Sequence, residues 1–276
     1  MVIVYAAAAF IFGTVVGSFL NVVAWRVPRG ESIVRPGSHC TSCGKAISFY
    51  DNVPVLSWFI LRGRCRNCGS RFSVRYSIVE LVTGLFFAAV ILKFGISWIF
   101  FRNITFVSLL ICVVLTDLAC FASRITISMG GIAIGLLFSL SPGGSGLLRS
   151  LLSAAGAFFL FCLIRFASRL LLKNRPGYAI APKGHEDEAD EFQGGMGWGD
   201  IKLAGMIGAF LGPSLTAVAL FIGFLTGALT GIATMAAGRN KRLPVPFGPF
   251  LALGSAVAVF AGEAIWQFYL RIGLGL

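Results

Sequence analysis

Charge is scarce in this chain. Asp, Glu, Lys and Arg together make up 12% of its 276 residues, about half the share usual in soluble domains. With 57% hydrophobic residues and a mean hydropathy of +0.87, that scarcity excludes an ordinary soluble enzyme and a disordered chain alike. Acids are rarer than bases, eleven against 23, and there are two histidines, His39 and His185. Both lie far from any apparent nucleophile elbow, so no Ser/His or Cys/His catalytic set is on offer. No basic residue precedes Arg26. The first apolar run therefore lacks the positive n-region of a signal peptide and reads as a retained helix. A net charge of +12 would suggest nucleic acid in a soluble protein. In a chain this apolar it reports loops on one side of a membrane, and no nucleic-acid partner is expected.

What abounds is long apolar runs. A helix needs about 20 such residues to cross a bilayer. Spans near 2–25, 76–92, 103–120, 125–141, 149–171, 200–212, 214–237 and 247–270 predict an all-α polytopic membrane protein of about eight transmembrane helices. The sixth is short, and Gly212-Pro213 separates it from the seventh. The runs are continuously apolar rather than alternating, which excludes a β-barrel. Nine Lys or Arg fall within 26–75, and more follow in 172–199 and before the last span; the opposite side holds Lys93, Arg102, Arg149 and Arg271. The bias puts the large loops in the cytoplasm and both termini outside. The organisation expected is a first transmembrane helix over 1–25, a cytoplasmic loop domain over 26–75, and a membrane core over 76–276. That core is interrupted by an acidic linker, 173–199, whose run Glu186 to Glu191 suits a solvated segment.

The loop carries Cys40-Thr-Ser-Cys43 and, after 21 residues, Cys65-Arg-Asn-Cys68. Two such pairs suit a tetrahedral Zn²⁺ held by four thiolates. Gly44 and Gly69 follow the second cysteine of each pair and permit the positive φ that a knuckle requires. Two disulfides are the competing reading, disfavoured on the reducing side of a membrane. A closed four-sulfur set leaves no position for water, so the metal is expected to be structural. His39 adjoins the first cysteine but is not needed. Cys112, Cys120 and Cys162 lie in apolar spans and read as small hydrophobes.

Only Glu80, Asp117, Asp200 and Glu263 lie in or beside spans. An acid in the membrane is a functional candidate by default. Asp117 ends the third span and Asp200 opens the sixth, both at the same expected depth. Two facing carboxylates suit aspartyl protease chemistry, in which the ionised acid activates water and the protonated one polarises the carbonyl. A proton relay in a transporter is one alternative, a catalytically inactive scaffold stabilised by zinc is another, and simple helix capping by Asp200 is a third. Rim rather than midplane placement disfavours the transporter.

Four stretches then carry a resemblance: Gly17-Ser-Phe-Leu-Asn-Val-Val-Ala-Trp-Arg-Val-Pro28; the run from Cys40 through Asp51-Asn-Val-Pro54 and Ser57-Trp58 to Cys68, Arg75-Tyr76 and Glu80-Leu81; Gly195-Met-Gly-Trp-Gly-Asp-Ile-Lys-Leu203; and Pro246-Phe-Gly-Pro-Phe-Leu-Ala-Leu-Gly254. Together they resemble the bacterial type IV prepilin leader peptidases of the GxGD aspartyl protease group. The resemblance implies cleavage of basic leaders from pilin and pseudopilin precursors at the cytoplasmic face of the bacterial inner membrane. It maps the catalytic pair onto Asp117 and Asp200, with Gly197, Gly199 and Lys202 supporting the motif. It also implies methylation of the new N-terminal amine by S-adenosylmethionine, although the chain has no glycine-rich dinucleotide-type motif for that cofactor. The segment Phe121-Ala-Ser-Arg-Ile125 departs from the family pattern, as do Ser77 and Gly194.

Overall fold

A computed structural model describes residues 1–119, 124–172, 197–237 and 247–273. Among the described residues the chain is helical; its β-structure is two isolated bridges in the loop that follows the first helix. The helices are α1 (Val2–Arg26), α2 (Leu56–Ile60), α3 (Val74–Phe94), α4 (Trp98–Ala119), α5 (Arg124–Ser139), α6 (Leu147–Leu172), α7 (Trp198–Ala236) and α8 (Gly248–Gly273). Six of these are long and apolar enough to cross a membrane, and α5 is a shorter apolar helix. α7 bends at Gly212, whose φ of 72° and ψ of 179° leave the helical region just before Pro213. Proline removes a backbone donor and crowds the preceding turn, which accounts for the bend. The single 39-residue run thus contains both apolar stretches expected there. α4 begins at Trp98, five residues before the expected start, because Ser97 Oγ accepts from the Phe100 amide and opens the helix early. Cys120, the segment 121–123 and the acidic linker up to Met196 lie outside the described residues.

The chain divides into two compact units, Met1–Ser123 and Arg124–Leu276. In the first, α1 packs along α3 with α4 against both. Small residues permit that approach. A Cβ on Gly17 would lie 2.8 Å from the Glu80 Cα, and one on Gly13 would lie 2.8 Å from the Gly84 Cα. Lipid supplies no hydrophobic drive between helices, so close backbone packing of this kind is what holds them. α3 starts at Ser73, whose hydroxyl accepts from the Arg75 amide, and stops at Gly95.

In the second unit the first half of α7, 198–211, is buried from Gly199 onward apart from Lys202. α5 and α6 cover it, and α8 packs on α7. The α6–α7 seam is backbone to backbone. A Cβ on Gly208 would sit 2.6 Å from the Ser153 carbonyl oxygen and 2.7 Å from the Ala154 Cα. Beside it Ser153 donates to Thr216 Oγ1 over 3.1 Å. Neither neighbour is a movable side-chain tip, so Gly208→Ala must push two helices apart. It is expected to destabilise the unit by about 1–3 kcal/mol, the usual range for overpacking, lowering the thermal midpoint in detergent. An unchanged midpoint would show that the seam is looser than its geometry.

Candidate functional site

The loop between α1 and α3 turns twice in the same way. In the first knuckle the Cys40 amide donates to the Lys45 carbonyl and the Gly44 amide to the Cys40 carbonyl. In the second, the Cys65 amide donates to Ser70 and the Gly69 amide to Cys65. Gly44 (φ 69°) and Gly69 (φ 71°) occupy the left-handed region, where a side chain would strain the turn. The two knuckles bring Cys40, Cys43, Cys65 and Cys68 together, all four Sγ atoms lying within 4.8 Å of one another. None of these four is in a disulfide. A tetrahedral ion with metal–sulfur bonds of about 2.3 Å needs sulfurs about 3.8 Å apart; Cys40 Sγ and Cys68 Sγ are 3.8 Å apart. The donor set therefore fits a metal ion. His39 stays out of it, its Nδ1 lying 3.0 Å from the Gly37 carbonyl.

The surroundings of Cys40 and Cys68 favour thiolate. Ser70 Oγ lies 3.4 Å from Cys40 Sγ and 3.2 Å from Cys68 Sγ. Bonding to Ser70, then to the Cys43 and Ser42 amides, brings the Cys40 thiol down to about 5. Ser70 likewise lowers Cys68. Across the knuckles Lys45 Nζ donates to Asn67 Oδ1, and Asn67 Nδ2 to Cys43 Sγ. A residue that sequence reasoning left without a role, Asp51, clamps the second knuckle. Arg66 donates to it through Nε over 2.8 Å and Nη2 over 2.6 Å. That bidentate bond holds the Asp51 carboxyl below its ordinary range, as expected beside a guanidinium.

The loop is also tied into the membrane helices. Glu80, buried in α3, accepts from the Val55 amide over 2.7 Å, and Asn21 of α1 donates to the Tyr76 carbonyl. Arg26, buried at the end of α1, donates to the Ser32 carbonyl and reaches that of Gly37.

Asp117 lies in the last turns of α4 in the first unit and is 1% exposed. Arg75, at the start of α3, donates to the Leu115 carbonyl over 3.0 Å. The bond lands two residues before Asp117, so Arg75 fastens the part of α4 that carries it. Asp200 belongs to the second unit, in the first turn of α7, and is 5% exposed. The capping position is taken by Gly197, so Asp200 is not the N-cap. Its place in the first turn suits a negative charge near the helix's positive end. Gly199 is buried, Gly197 and Lys202 half-buried. Arg165 of α6, itself 4% exposed, stacks over Trp198 with 5.1 Å from guanidinium carbon to ring centroid, and so anchors the start of α7. Sequence reasoning gave Arg165 no role; the signal that could have found it is an arginine well inside an apolar helix.

Fold and site together define a class: a polytopic helical membrane protein with four thiols placed to hold a metal ion and buried aspartates near two helix ends. Residues 11–94 match the family described as Bacterial Peptidase A24 N-terminal domain, and residues 104–232 match the Type IV leader peptidase family. The chain belongs to the type IV leader peptidase family. It is 37% identical over 271 residues to a Bacillus subtilis (strain 168) protein named prepilin leader peptidase/N-methyltransferase, covering 96% of this chain and 98% of that one. It is 30% identical over 291 residues to one of the same name from Aeromonas hydrophila, covering 96% and 94%. A Myxococcus xanthus (strain DK1622) protein, also so named, is 36% identical over 85% of this chain and 65% of its own length. No solved structure matches the chain.

The donor geometry predicts one metal ion per chain, measured by elemental analysis of purified protein. Cys43→Ser should lose it. Two disulfides and no metal would overturn the assignment.

Proposed function

We propose that this chain is a membrane-embedded aspartyl endopeptidase that cleaves the leader from type IV prepilins or pseudopilins and then N-methylates the new terminus. The observation that carries this reading is the end-to-end similarity to prepilin leader peptidase/N-methyltransferases, 37% over 98% of the Bacillus subtilis protein. It is joined by two buried aspartates, Asp117 and Asp200, near helix ends.

In the proposed chemistry Asp117 and Asp200 act as the pair that the family resemblance implies and share one proton, since two paired carboxylates cannot both ionise comfortably. The ionised one takes a proton from water as the oxygen attacks the scissile carbonyl carbon. The protonated one gives its proton to the carbonyl oxygen. Collapse of the tetrahedral species breaks the C–N bond, and the amine leaves with a proton. Gly197 and Gly199 let an extended peptide approach the backbone beside Asp200, and Arg75 and Arg165 fasten the two helix ends. The positive charge of the loops supports a cytoplasmic site with both termini outside, in the bacterial inner membrane. Functionally the chain would divide into a first helix (1–25), a zinc-stapled loop (26–75) and a protease core (76–276) with its linker 173–199.

Zinc is the ion the cysteines would hold, as a structural staple with no open coordination position. For methylation, S-adenosylmethionine would supply the methyl group to the new amine, as the names of the relatives suggest.

Asn is nearly isosteric with Asp, so Asp117→Asn and Asp200→Asn should fold and bind substrate. Each should lose cleavage by about 10²–10⁴-fold, and the double variant by no more than either alone, because the pair acts as one unit. Cleavage of a purified prepilin, followed by mass analysis of the product's N-terminus, measures both activities. Near-normal turnover in Asp117→Asn would refute the choice of first aspartate; in Asp200→Asn it would overturn the protease reading.

A further inference from the structure

The soluble loop displays an apolar surface that the proposed catalysis does not use. Phe49, Tyr50, Leu56, Phe59 and Ile60 fall within twelve residues of sequence, and each is 56–87% exposed. They sit on one folded finger. Ser57, buried at its centre, donates its hydroxyl to the Tyr50 carbonyl, and its amide donates to the Val53 carbonyl. Phe49 meets Tyr50 edge to face at 5.3 Å, and Trp58 meets Phe59 at 5.4 Å. Asp51 and Arg66 lock the finger to the second knuckle. Exposed apolar groups gathered in this way mark an interaction surface.

Where the finger sits identifies its partner. The Val55 amide is bonded to Glu80. Glu80 lies six residues inside the membrane-crossing helix Val74–Phe94, or about 9 Å along its axis. Helical side chains tilt back toward the helix start, so Val55 is held beside the first turns of α3, and Leu56, Phe59 and Ile60 follow directly. Residues 26–75 carry nine Lys or Arg against two acids, Glu31 and Asp51. Arg62, Arg64 and Arg71 are exposed immediately after the finger. Aromatic and aliphatic side chains beside a basic cluster are the pattern that lies in the boundary of an anionic leaflet.

We propose that residues 49–60 form a finger inserted into the headgroup–acyl boundary, docking the metal loop on anionic phospholipid. The partner is the lipid surface itself, continuous with the bilayer around α1 and α3. The inference is independent of which residues perform the peptide chemistry.

The test uses the full-length protein in phosphatidylglycerol-containing nanodiscs, with a benzophenone-bearing amino acid replacing Phe59 or, as a control, the exposed Thr41 at the tip of the first knuckle. After irradiation, mass analysis should find phospholipid adducts at position 59 and none at 41. Changing Phe59 and Ile60 together to Glu should abolish lipid adducts of a benzophenone placed at Phe49, with metal content as the check on folding. If that variant loses its metal, the comparison of 59 with 41 decides alone. Equal lipid yields at 59 and 41 would overturn the proposal. So would adducts at 59 that form only with added prepilin, which would make the finger a protein-docking surface.

Discussion

Holding a carboxylate inside an apolar helix bundle is the constraint around which this molecule is arranged. An acid in hydrocarbon costs several kcal/mol unless the protein supplies donors or charge beside it. Glu80 shows how that is met. Its helix approaches α1 at Gly17 and its carboxylate takes the Val55 amide, a backbone donor that would itself be orphaned in an apolar setting. One bond thus satisfies two groups and fixes where the loop meets the membrane helices. Asn21 and Arg26 on α1 extend the same principle, since each spends its donors on loop or helix-end carbonyls.

The loop needs such ties because it has almost no core. Its buried apolar side chains are few, and its cysteines converge instead. Small folds of this kind depend on a metal for stability. The metal in turn requires four ligands held at once, which explains the bonds linking the knuckles through Lys45, Asn67 and Ser70. Asp51 and Arg66 then couple the second knuckle to the 49–60 finger. The second knuckle is thereby tied to the finger, and the finger through Val55 to α3.

The architecture was legible because a membrane imposes a coarse alphabet of long apolar helices. The cysteine spacing was legible for a similar reason, since four thiolates around one ion admit few arrangements. Two things were not. The helical start at Trp98 depends on Ser97 acting as a cap, which hydropathy does not register. The supporting residues Asp51, Arg75 and Arg165 act through partners 15, 40 and 33 positions away. No local pattern encodes pairing at such distances. The aspartates themselves stood out for the opposite reason: in so apolar a sequence a lone acid at a helix end is conspicuous without knowledge of its partner.

The first half of α7 carries the argument one step further. Residues 198–211 make a helix of 14 residues ended by the bend at Gly212, about 21 Å long. The hydrocarbon core is about 30 Å thick. The two ends of this segment cannot both reach the membrane surfaces. α7 resumes beyond Pro213 for more than 20 residues, enough to complete a crossing. The Asp200 end and the bend therefore differ in what they require. At the bend Gly212 is buried, and a Cβ there would lie 3.1 Å from the Ser145 Cβ, while Pro213 is exposed. The Asp200 end carries a charge-bearing group whose first-turn position already supplies partial positive charge. A short central helix wrapped by α5 and α6 presents such a carboxylate from a rigid element, without a mobile loop between the acid and the packed core. A site proposed to act through Asp200 would be held firmly in that way, and the close packing at Gly208 is what permits this helix to be so enclosed by α5 and α6.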